Sequence, residues 1–250
     1  MRSYLPALLR ERFDPAGRYG LRLTLFAISI LLVAIPFGLL LAQVRTDGPL
    51  TRFDAVTAER LHRFALDTPG VVPVSKVVSF LGLSIWVYPL LLVASVRLWT
   101  VGRRRLVGFL LATAPGGQVL SNLVKEIVDR PRPVHDDPIA QGFGQSFPSG
   151  HALNSVVFYG ALLLVFLPVV PPRWRRPVLA GTVMLAVLVG ASRLTLGVHY
   201  VTDVLAGYAL GLAWLVASVA AFSIWRREEG KPPVEPIEGV EPEAEADLTS

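Results

Sequence analysis

The sequence contains no cysteine. That removes disulfide staples, thiolate nucleophiles and cysteine-ligated zinc together, and it leaves the redox compartment open. Charge is scarce as well: Asp, Glu, Lys and Arg make up 17% of the 250 residues, against about 25% in an ordinary soluble domain. Only four histidines are present, so few side chains are available for proton transfer or nucleophilic attack near neutral pH. What fills the space is apolar, 52% of residues, gathered in runs rather than spread at helical or strand period, which excludes an average soluble domain. The net charge of +5 hides a split: residues 228–250 carry eight acids and one lysine, net −7, leaving +12 on the first 227 residues. The arginines of that basic part sit in short clusters beside apolar runs, the pattern of membrane flanks. No nucleic-acid partner is expected.

A membrane span needs about 20 apolar residues to cross a hydrocarbon core roughly 30 Å thick. Leu21 to Val44 meets that with Pro36 tolerated inside, and it is too long for a signal-peptide core. Further spans are expected over Val77 to Trp99, Leu106 to Val124, Ala152 to Val170, Val178 to Ala191 and Val204 to Trp225, the fifth being the shortest. The expected fold is all-α, a bundle of six transmembrane helices with the active site at the membrane interface. Residues 1–20 form a basic cytoplasmic N-terminus, 21–225 the six-span domain and 226–250 an acidic cytoplasmic tail. The tail is rich in proline and glutamate and poor in large apolar residues, a composition that predicts disorder. Phe53 to Leu66, in the loop after the first span, reads as an interfacial amphipathic helix.

Orientation follows from basic residues near the span ends. Arg2, Arg10, Arg12, Arg18 and Arg22 precede the first span, Arg103 to Arg105 follow the second, Arg173, Arg175 and Arg176 follow the fourth, and Arg226 and Arg227 follow the sixth. With six spans all of these fall on one face, so the positive-inside rule places both termini in the cytoplasm. The remaining loops then face outward.

Ionisable groups at membrane depth are costly, and here they collect on that outward face. One cluster runs from Lys125 through Asp129, Arg130, Pro131, Arg132 and Pro133. A second is Phe147-Pro148-Ser149-Gly150-His151, directly before the fourth span. A third combines Ser192 and Arg193 with His199 to Asp203. Lys125, Arg132 and Arg193 supply three cationic groups, two of them planar forks suited to the oxygens of a phosphoryl group. Ser149 and Gly150 precede a helix, so their backbone N–H groups add fixed donors for the same anion. His199 and Asp203 are four residues apart, on one face if a helix starts there, and the carboxylate then accepts from one imidazole nitrogen while the other is free and nucleophilic. His151 is placed to give a proton to a departing alkoxide and later to withdraw one from water.

These residues spell K-x6-R-P at Lys125, Arg132 and Pro133, P-S-G-H at Pro148 to His151, and S-R-x5-H-x3-D at Ser192, Arg193, His199 and Asp203. In this the chain resembles the type 2 phosphatidic acid phosphatase superfamily of integral-membrane lipid phosphatases, over all three motifs in order. The resemblance implies that Lys125, Arg132 and Arg193 bind phosphate with Ser149 and Gly150, that His199 becomes phosphorylated, that Asp203 orients it and that His151 protonates the leaving group. It implies an enzyme that needs no metal or other cofactor and takes a lipid phosphate or diphosphate from the bilayer as substrate. Phosphatidic acid, phosphatidylglycerophosphate and a polyprenyl diphosphate such as undecaprenyl diphosphate all remain open. An external site suits recycling of a polyprenyl carrier at a bacterial plasma membrane, by analogy at family level.

Four functions compete: lipid phosphatase, lipid phosphotransferase using the same phosphohistidine, a vanadate-holding haloperoxidase as in soluble relatives of the superfamily, and an anion channel or carrier. The six spans argue against the haloperoxidase. His135 with Asp136 and Asp137 reads as a solvated loop rather than a metal site, and His62 as an interfacial side chain. Oligomeric state is not legible.

Overall fold

In the computed structural model the described residues are 31, 35–228, 230–232, 234 and 236–249, and their regular elements are helices. The expected basic terminus over residues 1–20, and most of the expected first span, lie outside the described residues. The described part of that span is α1, Ile35–Arg45.

Next come α2 (Pro49–Asp67), α3 (Val71–Phe80), α4 (Ser84–Thr100), α5 (Arg104–Val128), α6 (Gly150–Phe166), α7 (Pro172–Thr195) and α8 (Val201–Glu228). Five stretches among the described residues are long and apolar enough to cross a membrane: Val71–Thr100, Arg104–Val128, Gly150–Val169, Pro172–Thr195 and Val201–Arg226. The chain is an integral membrane protein. The expected second span is broken into α3 and α4 by a turn at Leu81–Leu83. The expected fifth span, taken as the shortest, is extended by α7 to 24 residues, because Pro172 is tolerated in a first helical turn, where its missing N–H is an orphan anyway.

Outward-facing apolar side chains such as Ile85, Leu92, Ile127 and Met184 mark the lipid-facing surface. Amphipathic α2 has the same inversion. Its buried stripe is Asp54, Ala58, His62 and Ala65, while Phe53, Val56 and Phe64 are exposed. Asp54 on the bundle side finds hydrogen-bond partners there, and an apolar residue on the outside meets lipid.

Helix α6 packs against α5, α7 and α8. The α8 contact is close: a Cβ on Gly207 would sit 2.6 Å from the Ser149 carbonyl oxygen, and one on Gly211 would sit 2.9 Å from that of Leu153. Small residues one turn apart let two helix backbones approach to this degree.

Basic clusters and site clusters lie at opposite ends of the bundle. At the basic end the structure departs from the expectation of a disordered tail. The Val240 N–H donates to the Leu164 carbonyl at 3.0 Å, and Val240 and Ala244 join the buried core with Leu106, Phe158 and Phe222. Arg226 is forked onto Glu243 at 2.9 and 3.1 Å, and Arg103 reaches Asp247 at 2.7 Å. The few apolar residues of the tail suffice because arginines at the span ends hold its acids.

Candidate active site

Helix α5 ends where Asp129 adopts a left-handed conformation (φ 49°) and donates its N–H to the Lys125 carbonyl. Pro131 follows closely and favours an extended chain before it. The loop then folds back: the Ser146 N–H donates to the Arg130 carbonyl at 2.8 Å, and Lys125 Nζ donates to the Gln145 carbonyl at 3.2 Å. Ser149 caps the start of α6 without a side-chain hydrogen bond. Its N–H donates to the Asp203 carbonyl at 2.9 Å, which ties the start of α6 to the first turn of α8. The glycine seam of α8 permits that approach.

The His199 ring is buried, with Nδ1 3.3 Å from Asp203 Oδ2. Arg132 Nη1 lies 3.1 Å from His199 Nε2. A guanidinium only donates, so Nε2 must carry the lone pair and Nδ1 the proton, which is donated to Asp203. Burial lowers the imidazole to about 4, opposed by the Asp203 carboxylate and reinforced by Arg132 and Arg193. Near neutral pH the ring is therefore uncharged, with its lone pair held toward the cations.

Asp203 is itself held on every side. Oδ2 accepts from the Tyr200 N–H at 2.9 Å and from the Ser146 hydroxyl, and Oδ1 accepts from Arg130 Nη1 at 2.6 Å. Arg130 also donates to Asp54 at 2.8 Å and to the Thr202 hydroxyl at 2.7 Å, and it lies 4.1 Å over the Tyr200 ring. Asp54 accepts the Thr202 N–H at 3.0 Å. Burial works against the Arg130 charge, but Asp203 and Asp54 outweigh it and hold the guanidinium above its ordinary value.

Lys125, Arg132, Gly150, His151, Arg193 and His199 line one cavity of about 450 Å³. Ser149 and Asp203 stand behind that lining: both are fully buried, and Ser149 Oγ has no partner. The cations differ in readiness. Arg132 donates to the carbonyls of Phe143, Gly144, Gln145 and Val198 as well as to His199. Arg193 donates to Ser79 at 2.5 Å, and its Nε is buried without a partner. His151 Nε2 is also buried and unpartnered. These three cations and the exposed Lys76 on the same lining, a neutral imidazole and an unpaired imidazole nitrogen around one cavity suit a tetrahedral anion.

The sequence reading gave no role to Arg130 and Thr202, which it placed only within clusters, and passed over Asp54 and Ser146. Arg130 was visible as a loop arginine, but nothing local pairs it with Asp54, 76 positions away. The readings of His62 and His135 also change. Their rings stack at 3.8 Å, His135 faces Glu59 at 3.3 Å, and His62 is buried in α2 rather than interfacial. Burial and the neighbouring His135 hold His62 below its ordinary value. Among the described residues no group of three or more His, Asp or Glu side chains is arranged to hold a metal ion.

The sequence profile of the PAP2 superfamily matches residues 105–227. Phosphatidylglycerophosphatase B of Bacillus subtilis is 30% identical over 179 residues, 70% of this chain and 86% of that protein. Lipid A 1-phosphatase of Rhizobium johnstonii is 34% identical over 115 residues, covering 42% of this chain and 43% of that protein. The crystal structure of a transmembrane PAP2-type phosphatidylglycerolphosphate phosphatase from Bacillus subtilis superposes with a TM-score of 0.69 at 27% identity, over 77% of this chain and 95% of that one.

Proposed function

The chain belongs to the PAP2 superfamily, and from that membership we propose that it hydrolyses a lipid phosphate or diphosphate through a phosphohistidine at His199. The observation that carries the reading is the uncharged Nε2 of His199 on a cavity lined by Lys125, Arg132 and Arg193. Nε2 attacks the terminal phosphorus, the N–P bond forms, and the P–O bond to the lipid alcohol, or in a diphosphate to the inner phosphate, breaks. His151 gives its proton to the departing oxygen. A water then attacks phosphorus, His151 takes its proton, the N–P bond breaks, and inorganic phosphate leaves. The nucleophile and acid–base roles lie wholly on side chains, so no metal is needed. Most of the acceleration comes from positioning and from cations facing the phosphoryl oxygens. Arg132 must trade its bond to Nε2 for a phosphate oxygen, which frees the nucleophile as the substrate arrives.

Both termini are cytoplasmic, and the site opens on the external face of a bacterial plasma membrane. The phosphate of an outer-leaflet lipid sits at that depth while its tails stay in the bilayer. Phosphatidic acid, phosphatidylglycerophosphate and undecaprenyl diphosphate are the candidate substrates.

His199→Ala tests the mechanism in purified protein. Wild type releases phosphate from lipid phosphates and, when quenched during turnover, retains label in an acid-labile, alkali-stable bond; His199→Ala does neither. Arg193→Ala slows release on the order of 100- to 1000-fold. Normal release by His199→Ala removes the mechanism, and transfer of label to an added lipid alcohol in place of phosphate release makes the enzyme a phosphotransferase.

A further inference from the structure

Beneath the cation cluster the same cavity meets uncharged polar side chains that the hydrolysis does not use. Gln118 on α5 and Asn154 on α6 both line it. Asn154 Nδ2 donates to Gln118 Oε1 at 2.5 Å, and Gln118 Nε2 donates to Asn122 Oδ1 at 2.9 Å. Residues 118, 122 and 125 recur at i, i+4 and i+7, so the ladder shares a face of α5 with Lys125. Asn154 follows His151 by one turn on α6. Counted from Lys125 and His151, the ladder lies about 5–10 Å further into the span at 1.5 Å per residue.

Carboxamides at hydrocarbon depth are unfavourable unless hydrogen-bonded. Each carries two N–H donors, and the ladder uses one from Asn154 and one from Gln118, so donors remain on every rung. Reversing all three amides reverses the direction of the chain and leaves the same surplus. The subsite therefore seeks acceptors. A second phosphate would bring charge to a level where the ladder offers none to balance it, with Lys125, Arg132 and Arg193 already assigned to the scissile group and Lys76, the other cation of the lining, on α3 and not on the helices that carry the ladder. A polyprenyl chain brings no acceptor at all. Neutral carbonyl oxygens a few bonds below the phosphate fit both the depth and the absence of charge.

We propose that Gln118 and Asn154, braced by Asn122, form a subsite for the ester carbonyls of an acylglycerol phosphate, which makes that lipid class the preferred substrate over polyprenyl phosphates. The proposal rests on the phosphatase reading above.

Its test compares kcat/KM of the full-length protein, in matched mixed micelles, on a diacylglycerol phosphate, its dialkyl ether analogue and undecaprenyl diphosphate. Wild type favours the ester lipid over its ether analogue by about tenfold, the typical worth of one or two neutral hydrogen bonds. In the Gln118→Leu, Asn154→Leu double variant that ratio falls to about one. A wild-type ratio near one overturns the subsite without recourse to any variant. An equal or larger loss on undecaprenyl diphosphate in the double variant also overturns it, because the ladder then serves the second phosphate. If wild type hydrolyses none of the three lipids, the phosphatase reading itself fails; hydrolysis without ester preference removes only the subsite.

Discussion

His199 is the residue on which sequence and geometry bear most directly, and its environment makes a prediction about pH. Burial brings its imidazole from the ordinary 6.5 to about 4. Between those values the unfolded chain binds a proton that the folded chain refuses. Stability therefore falls as pH drops through that window, while above about 6.5 this group adds no pH dependence. His199→Gln lacks this component, so its melting temperature in detergent declines less than that of wild type between pH 6.5 and 4; parallel declines would mean that the ring is already protonated in the fold. A second residue-scale prediction concerns Asp54, which is fully buried and shares Arg130 with Asp203. Removing one member of a buried ion pair typically costs about 3–5 kcal/mol. Asp54→Ala is thus expected to lower the melting temperature clearly and to reduce kcat more than it raises KM, because Arg130 orients Asp203 and never reaches the cavity. A KM effect alone would place Asp54 in substrate binding. The contrast shows what a single sequence reveals of a site. His151, Arg132, Arg193 and His199 were legible because their chemistry is rare in an apolar chain and their spacings are short. Asp54 was not, because its meaning depends on a tertiary partner, Arg130, in a distant loop.

Helices were more legible than their limits. Apolar runs located the five described spans, since a hydrocarbon core dictates length and composition together. The turn at Leu81–Leu83 was hidden, because the residues around it are apolar and hydropathy does not register a local break. The glycine seam of α8 was also passed over, although it brings the start of α6 against the first turns of α8. Asp203, Gly207 and Gly211 recur every four residues, so the face that carries the carboxylate also carries the close contacts with α6. A methyl group on Gly207 would sit 2.6 Å from a backbone oxygen that cannot rotate away. Gly207→Ala is therefore expected to push α6 and α8 apart, lowering both thermal stability and turnover. Gly181→Ala in α7 supplies the control, because a Cβ there meets nothing within 4 Å. Indistinguishable melting temperatures for the two variants would mean that the helix pair tolerates the separation.

At the scale of the molecule, charge distinguishes the two ends of the bundle. The split between a basic membrane part and an acidic tail was legible, whereas the docking of the tail was not, because composition alone says little about which arginines await the acids. Arg103 and Arg226 receive Asp247 and Glu243 at the end opposite the catalytic cavity. That separation makes orientation testable without structural work, aided by the absence of cysteine from the sequence. Asp136 lies exposed in the loop that carries Arg132, and Glu238 lies exposed in the tail. A membrane-impermeant maleimide applied to intact cells is expected to label Asp136→Cys and to spare Glu238→Cys until the cells are permeabilised. The positive-inside rule gives the direction, since Arg103 to Arg105 and Arg173, Arg175 and Arg176 flank connections between spans that are short enough for it to apply. Labelling of Glu238→Cys alone in intact cells would turn the protein over. The cavity would then face the cytoplasm, and its substrate would have to come from the inner leaflet.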